Sequence, residues 1–296
     1  MSETSLKKKI QMPDNIVVDG KRAYLPHPIY QMTLFNATRA RKKGEYRKDG
    51  VTVVTENVFG DRAVIWAPKT LFTTPDMGVF LGVVACAQNA GIFEMIGPHG
   101  PDPFSLFSEF LMSDLYAVTG MSSRGKSWYQ LRSSLAALGE VSISVEYRCD
   151  KENLRKHGWS SGFVMDHFWR MNIIKRSGRK GSLVRLYPSP FLIPHDYYLW
   201  ADAELCNKLK KDTARGVFWQ LICREHLAGT AEEWREWLNA SDGRDLKVWK
   251  SRCLMPALEE LAGYGYAVKE NGDEITVSRP SSGKKSLPKS KKNRRK

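Results

Sequence analysis

Residues 120–127 read GMSSRGKS, which fits the phosphate-binding pattern G-x-x-x-x-G-K-[ST] of nucleotide hydrolases. In such a loop the backbone N–H groups surround the phosphates, the lysine reaches the outer phosphates and the hydroxyl holds Mg²⁺. This chemistry needs a buried strand before the loop and further parallel strands beside it. The stretch LYAVT before Gly120 is short for such a strand. The pattern alone therefore does not decide between a nucleotide site and a turn.

The residues on both sides of this stretch favour helices. Before it, SDLYAVTG has Ser113 as a candidate cap, an early acid and a stop at Gly120. After it, Ser122 or Ser123 can cap a helix whose apolar residues step by three and four places up to Gly139. These apolar residues are Trp128, Leu131, Leu135 and Leu138. The stretch is therefore predicted to be the turn of a helix-turn-helix, whose second helix enters the major groove of DNA.

The side of this second helix that faces away from the apolar stripe is predicted to meet DNA bases. The residues on it are small or able to form hydrogen bonds, namely Lys126, Gln130, Ser133 and Ala137. Ser123 and Arg124 lie at the start of the helix, where the helix dipole and the unpaired N–H groups favour a phosphate, and Lys126 is expected to meet a DNA phosphate instead of a nucleotide phosphate. The alternative is that this face is simply solvated.

The elements around this turn complete a winged helix-turn-helix. Two β-branched runs predict a hairpin at about 51–66, and a core helix is expected from Thr74 to just before Gly91. The apolar stripe of that helix is Met77, Phe80, Leu81, Val84 and Ala85. The strand-like runs VSISVEY, FVMDHFWRMNIIKR and SLVRLYPSP follow. The last two are joined by SGRKG, a basic tip whose Arg179 and Lys180 are expected along the sugar-phosphate backbone.

The proline-rich run YPSPFLIPHD predicts a domain boundary near 187–196, after which the same plan repeats. A long helix at about 202–228, with Gly216 as a candidate break, precedes TAEEWREWLNA, which Thr230 can cap. A turn is predicted at SDGRD, and the last helix is predicted at DLKVWKSRCLMPALEELAGYG. Two strands joined across Asn271-Gly272 follow it. The predicted fold class is α+β, with two tandem winged helix-turn-helix domains and basic flexible termini. Its parts are a basic N-terminal arm at 1–50, winged-helix domains at 51–190 and 196–280, and a disordered basic tail at 281–296.

The positive charge of the chain lies at its two ends. The formal net charge is +14 over 296 residues. Residues 1–48 hold 11 Lys/Arg and four Asp/Glu, and residues 280–296 hold eight Lys/Arg and no acid, so the residues between them sum to −1. Basic arms on a near-neutral body suit a long polyanion such as DNA, because they neutralise phosphates and release counterions. The alternative is that these arms only keep the protein soluble.

Other kinds of site find little support in the sequence. The five cysteines are scattered and no Cys or His pair has zinc-ligand spacing, so we expect no disulfide, metal or cofactor. A nicking nuclease would pair two histidines near a tyrosine nucleophile, whereas LPHP has one histidine. No apolar run is long enough to span a bilayer, and the N-terminus has no secretion signal. We therefore expect a cytoplasmic protein with no membrane partner and no enzymatic activity.

The segment WKSRCLMPALEEL has the most specific pattern in the chain. Its Pro256 lies inside a helix, where it removes a hydrogen bond and bends the helix between two apolar faces. The segment resembles the second recognition helix of the iteron-binding plasmid replication initiators. The matching residues are Trp249, Lys250, Arg252, Leu254, Pro256, Ala257, Glu260 and Leu261, whereas Cys253 and Met255 depart from the pattern. Together with the order of the elements, the resemblance covers about residues 51–279.

This resemblance implies two winged-helix domains, of which the second binds repeated sites at a plasmid origin. The first domain then contacts DNA or serves as a homodimer surface, and the protein opens the duplex and recruits host replication proteins without hydrolysing nucleotide. The DNA-binding residues expected in and before the last helix are Arg244, Lys247, Lys250, Ser251 and Arg252. Two domains on neighbouring grooves predict a site of about 20 base pairs. A winged-helix transcription regulator is the alternative function, and a P-loop nucleotide-binding enzyme a less favoured one.

Overall fold

The fold is seen in a computed structural model, and most of its described residues form helices or strands. The described residues are 6–9, 12, 14, 16–26, 35–36, 51–56, 62–67, 72–97, 100–146, 163–175, 181–189, 192–193, 198–238, 240 and 244–280. Among them, every strand pair is antiparallel except that between 35–36 and 72–73. Helices and antiparallel sheets in one chain confirm the predicted α+β class.

The strands are β1 (Leu6–Lys9), β2 (Arg22–Pro26), β3 (Phe35–Asn36), β4 (Val51–Glu56), β5 (Arg62–Ala67), β6 (Phe72–Thr73), β7 (Phe93–Gly97), β8 (Gly100–Leu111), β9 (Ser142–Glu146), β10 (Phe163–His167), β11 (Trp169–Lys175), β12 (Ser182–Pro188), β13 (Tyr198–Asp202), β14 (His226–Thr230), β15 (Ala267–Asn271) and β16 (Glu274–Ser278). The helices are α1 (Thr74–Ala90), α2 (Met112–Thr119), α3 (Gly125–Gly139), α4 (Ala203–Lys208), α5 (Asp212–Ile222), α6 (Ala231–Trp237), α7 (Leu246–Trp249) and α8 (Met255–Ala262). A π-helical turn, Lys250–Leu254, joins α7 to α8.

Two units of the chain share one order of elements. The first unit consists of α1, β8, α2, α3, β11 and β12, and the second of α5, β14, α6, the α7–α8 helix, β15 and β16. In the first unit β12 lies between β8 and β11, and in the second β16 lies between β14 and β15. This is the arrangement of a winged helix-turn-helix: a helix, a strand, two helices and a hairpin, with the second strand of the hairpin in the middle of the sheet. The predicted duplication is therefore present in the order and pairing of the elements.

The first unit has a second sheet that the sequence predicted only in part. Its strand order is β10-β9-β5-β4, so the hairpin predicted at 51–66 is confirmed and pairs onward with β9. The run FVMDHFWRMNIIKR was expected as one strand, but Phe168 divides it into β10 and β11, which belong to different sheets. The rings of Phe168 and Trp169 lie 5.2 and 5.7 Å from the ring of Phe80 on α1. Packing of these two rings on the core helix separates the two strands.

Helix α1 is the central helix of the first unit. The stripe residues predicted for it are buried, but so are the residues between them, from Thr74 to Gln88. The N-cap is Thr73 rather than Thr74, and the carboxylate of Asp76 accepts hydrogen bonds from the Thr73 N–H (2.7 Å) and hydroxyl (2.8 Å). The expected one-sided helix is buried on every side because α2, α3, α4, β8 and β2 all pack against it.

The long helix predicted at about 202–228 is wrong, because this segment forms α4, α5 and β14. The helix stops after α4, where the N–H groups of Lys210 and Lys211 donate to the Glu260 carboxylate at 2.6 and 3.0 Å. The predicted break, Gly216, is buried inside α5. β14 becomes a strand by pairing with β16. Partners far along the chain decide these bounds, and local periodicity does not reveal them.

Three described segments of the predicted N-terminal arm are strands. β1 pairs with β7, β2 with β13, and β3 with β6. Gln88 fixes β2, since its Oε1 accepts the Tyr24 N–H at 2.9 Å and its Nε2 donates to the Tyr24 carbonyl at 2.6 Å. These segments therefore belong to the folded body. Much of the remaining arm and the tail at 281–296 lie outside the described residues.

The two units meet at a packed junction, where α4, the helix that precedes the second unit, packs against α1 of the first. The thiol of Cys206 lies 3.8 Å from the sulfur of Met77, and the Asn207 amide donates to the Gly78 carbonyl at 3.2 Å. A Cβ added at Gly78 would stand 2.1 Å from Oδ1 of Asn207, so a side chain there requires the Asn207 amide, which donates to the Gly78 and Ala203 carbonyls, to move. One hydrophobic core runs through both units. The boundaries at 190 and 196 stay a prediction.

Within the described residues, every helix falls short of the length or the apolarity that a membrane crossing requires.

Candidate nucleic-acid interface

The stretch GMSSRGKS joins α2 to α3. Residues 120–124 form the turn, and residues 125–127 are the first residues of α3. Helix α2 ends at Gly120, whose φ of 65° lies in the left-handed region that glycine adopts without strain. The N–H of Ser122 donates to the Ser127 hydroxyl at 2.9 Å, and the Ser122 hydroxyl donates to the Arg124 carbonyl at 3.1 Å. Gly125, which opens α3, is also left-handed, with φ of 62°. Both glycines therefore act as turn residues, as predicted.

The cap predicted for α3 is wrong. Arg124, not Ser122 or Ser123, stands at the N-cap position, and its side chain makes no capping hydrogen bond. The left-handed conformation of Gly125 separates the two serines from the first helical turn. Because of this turn, the Ser122 side chain bonds to the loop instead of to the first N–H groups of the helix.

A helix precedes this turn, so the strand-loop-helix geometry of a phosphate-binding loop is not formed here. That helix, α2, also begins earlier than predicted. Its N-cap is Leu111 instead of Ser113, and Asp114 accepts the Leu111 N–H at 3.3 Å. Residues 120–127 are thus placed by helices on both sides, which is the geometry of a helix-turn-helix.

The outward side of α3 and the turn before it are exposed. All five contact residues predicted here are exposed, namely Ser123, Arg124, Lys126, Gln130 and Ser133. Within the part of the chain that the structure describes, the side chains of Arg124 and Lys126 make no hydrogen bond or ion pair. Two cations at the start of this helix are therefore available to an anionic partner.

The exposed face of α3 is rotated slightly from the predicted one. Ala137 was expected to face DNA but is only 8% exposed, whereas Tyr129 is 70% exposed. Tyr129 follows Lys126 by three places and precedes Ser133 by four, so the three residues share one side of the helix. Sequence reasoning missed Tyr129, although this spacing places it on the same side. The buried side of α3 is Leu131, Ser134, Leu135, Ala137 and Leu138.

The basic tip of the first wing, with Arg179 and Lys180, lies outside the described residues. The strands that lead to it are described, and their register pairs Lys175 with Ser182. Residues 172–175 at the end of β11 are exposed. Contact between this wing and the DNA backbone stays a prediction.

The last helix changes its winding at the position of the proline. The N–H of Met255 donates to the carbonyl of Lys250, five residues back, which is the hydrogen bond of a π-helical turn. This wider turn lets Trp249 and Leu254, five positions apart, both be buried. Pro256 follows directly and has no N–H to donate. The two apolar faces that the sequence showed are thus joined by a π turn placed just before Pro256.

Several predicted contact residues lie exposed on or before this helix. They are Arg244, Lys247, Ser251 and Arg252. Asp245 caps the helix by accepting the Lys247 N–H at 2.9 Å. The guanidinium of Arg244 donates to the sulfur of Cys253 at 2.9 Å, so Arg244 lies back along the helix. The side chains of Lys247 and Arg252 bond to none of the described residues.

Lys250 differs from the other predicted contacts because its charge is already paired. Its Nζ lies 2.6 Å from Oε1 of Glu270 on β15. The side chains of Lys250 and Glu270 are 28% and 41% exposed. The ion pair joins the last helix to the hairpin of the second unit. Sequence reasoning did not foresee this partner, which is 20 residues away.

Helix α6 supports the α7–α8 helix. Thr230 caps α6, as predicted, and forms a capping box with Glu233. The indole of Trp234 donates to a backbone oxygen of β16 at 3.0 Å. The guanidinium carbon of Arg235 lies 6.0 Å from the ring centroid of Trp249. Helix α6 therefore contacts the sheet of its unit through Trp234 and the last helix through Arg235.

Two of the cysteines, Cys86 and Cys206, are core residues. Cys86 and Cys206 are buried, and burial raises the pKa of both thiols to about 12. Both thiols are therefore protonated at neutral pH. Cys223 and Cys253 are partly buried and form no disulfide with a described residue. Cys149 lies outside the described residues. Among the residues that the structure describes, no group of three His, Cys, Asp or Glu side chains is arranged to hold a metal.

A comparison with known protein families finds no match, and a comparison with curated proteins finds none either. Solved structures with a similar fold include two crystal structures of domains 2 and 3 of RctB. The first is 14% identical, with a TM-score of 0.47, and covers 81% of this chain and 94% of that chain. The second is 15% identical, with a TM-score of 0.48, and covers 86% and 96%.

A crystal structure of the Pi initiator protein in complex with iteron DNA is also similar to this chain. It is 15% identical, with a TM-score of 0.43, and covers 69% of this chain and 89% of that chain. At such identities a likeness concerns the fold alone.

Proposed function

We propose that this chain binds double-stranded DNA sequence-specifically and initiates plasmid replication. In this proposal α3 and the α7–α8 helix each enter a major groove, and the two units occupy neighbouring grooves at repeated sites of a plasmid origin. The origin role rests on the resemblance of the last helix to the iteron-binding initiators. DNA binding rests on the geometry of the chain itself.

The observation that supports DNA binding most directly is the match between the two units. In each unit the second helix of the helix-turn-helix presents cations that bond to no described residue, Lys126 in the first and Lys247 and Arg252 in the second. The charged ends of these side chains make no polar contact within the described fold. Phosphate oxygens and base edges are the partners that such residues find on DNA.

The residues divide into two roles under this proposal. Arg124 and Lys126 lie at the start of α3, where a phosphate is favoured, and fix the position of the unit on the backbone. Gln130, Ser251 and Arg252 lie further along their helices and read base edges. Each good base contact contributes about 1–3 kcal/mol of discrimination.

The protein would act by binding and would not turn over a substrate. Binding of several copies at adjacent repeats opens the duplex, and the bound protein recruits host replication proteins in the bacterial cytoplasm. The first unit would also offer a surface for a homodimer. These roles follow from the resemblance and are part of the proposal.

The proposal is tested by binding of the full chain to duplex DNA. A pool of duplexes with a random segment of about 30 base pairs, three helical turns, is enriched for bound molecules. The affinity for the enriched duplex is then compared with that for a shuffled version across a salt series. We expect a preference of at least about 10³-fold and an affinity that falls steeply with salt. Equal affinity for both duplexes would contradict sequence-specific binding.

A second experiment separates an initiator from a winged-helix transcription regulator. Supercoiled DNA that bears several enriched sites beside an A·T-rich segment is treated with permanganate, which oxidises unpaired thymines. An initiator is expected to make thymines in the A·T-rich segment reactive. Full occupancy of the sites with no new reactivity would support the regulator instead.

A further inference from the structure

The ion pair between Lys250 and Glu270 joins the second recognition helix to its hairpin. We propose that Glu270 is a positioning residue that aims Lys250 at a base edge, so that Lys250 reads sequence instead of holding a phosphate. This inference rests on the proposed DNA binding, and the ion pair distinguishes Lys250 from Lys247 and Arg252 on the same helix.

The geometry fixes Lys250 at both ends. Its carbonyl accepts the Met255 N–H in the π turn, so its backbone is held, and its ammonium group is held by Glu270 at 2.6 Å. A lysine on an exposed helix normally has a flexible four-carbon stem that follows any nearby anion. Here the stem is restrained, and the ammonium group keeps two further N–H donors.

The charge of the hairpin opposes a phosphate at this position. Residues 269–274 carry the exposed acids Glu270, Asp273 and Glu274, against the single cation Lys269. A DNA backbone lying along this hairpin would be repelled by the acids. The hairpin therefore favours a neutral acceptor for Lys250, and the O6 and N7 atoms of guanine are acceptors that lysine recognises in the major groove.

The ion pair also affects binding to the wrong sequence. A free lysine gains affinity on any DNA by neutralising a phosphate, and each such contact steepens the salt dependence by about one unit. Lys250 bound to Glu270 lacks this option, so the unaltered chain holds random DNA less tightly. The pair thus raises the ratio of specific to nonspecific affinity.

The test uses the full chain, the enriched and shuffled duplexes, and the variants Glu270→Gln and Glu274→Gln. Glu274 lies on the same hairpin and has no ion pair with a described residue, so its variant changes the charge equally. Glu270→Gln is expected to tighten binding to the shuffled duplex about two- to fivefold, to steepen its salt slope by about one, and to lower the preference. Glu274→Gln is expected to change both affinities by one common factor. Equal behaviour of the two variants would overturn the proposal.

Lys250→Gln tests the same pair without altering the hairpin. It is expected to relax base choice at one position of the site, and adding Glu270→Gln to it should not lower the preference further. If Lys250→Gln instead weakens binding to both duplexes equally, with a salt slope shallower by about one, then Lys250 is a phosphate contact and the proposal fails. A chain that shows no preference before any substitution would refute the proposed function, and this inference with it.

Discussion

The hydroxyl of Ser134 on α3 donates a hydrogen bond to the buried carboxylate of Asp76 on α1. The other oxygen of that carboxylate accepts the N–H and the hydroxyl of Thr73. One acid, 3% exposed, therefore caps the central helix and also fixes the first recognition helix against it. The position of the exposed side of α3, which the proposed function directs at DNA, depends on this contact.

Asp76→Ala is expected to lower the free energy of unfolding by about 2–4 kcal/mol, because it leaves buried donors without their acceptor. Chemical denaturation measures this loss. The matched control is Asp114→Ala, since Asp114 occupies the same third position of α2 but is exposed and lies 3.3 Å from the N–H that it accepts. The control should change stability by about 0.5 kcal/mol or less. Similar losses for both variants would mean that the Ser134 contact contributes nothing.

Gly78→Ala tests the junction between the two units. The new Cβ would stand 2.1 Å from Oδ1 of Asn207, so the variant should be less stable by about 1–3 kcal/mol. Gly139→Ala is the control, because the nearest atom to a Cβ there is 3.6 Å away. That change should leave stability equal or raise it by up to about 1 kcal/mol. The midpoints of thermal unfolding of the two variants measure this difference. If Gly78→Ala is as stable as the unaltered chain, the Asn207 side chain moves aside at little cost.

Tyr129→Ala should weaken binding to the enriched duplex about tenfold and leave stability nearly unchanged, because this exposed ring packs little against the core. Tyr264→Ala provides a control, since Tyr264 is 43% exposed and follows α8 instead of lying on α3. Binding isotherms for both variants measure the difference. A loss that is the same for both tyrosines would argue against base contact by Tyr129.

Lys126→Ala should weaken binding to enriched and shuffled duplexes about equally and make the salt slope shallower by about one unit, because a phosphate contact is lost. Lys208→Ala is the control, since Lys208 on α4 is paired with Glu204 at 2.6 Å. The control should leave the slope unchanged. ATP hydrolysis by the unaltered chain that disappears in Lys126→Ala would instead restore the nucleotide-binding alternative.

The features that sequence reasoning predicted well depend on neighbouring residues. A left-handed glycine sets the turn at Gly120 and the hairpin across Asn271-Gly272, and the side chains of Thr230 and Glu233 set the cap at Thr230. The helices of the duplicated order follow from similar local signals, whereas β14 becomes a strand only through its pairing with β16. This is why the fold class and the presence of α3 and of the α7–α8 helix could be predicted without coordinates.

The features that it missed depend on residues far apart in the chain. β2 becomes part of the fold by pairing with β13, and the break after α4 is set by Glu260. The burial of Ala137 and the pairing of Lys250 with Glu270 likewise require the tertiary arrangement. Hydrophobic periodicity gives the side of a helix that faces the core, but only the packed neighbours give the edges of the exposed face.

In the proposed function, one chain binds two successive major grooves through two similarly built units. A hydroxyl-radical footprint of the full chain on the enriched duplex measures this most directly. Two protected segments on one face of the DNA, centred about one helical turn apart and spanning about 20 base pairs, are the predicted result. Protection confined to a single turn would contradict the claim.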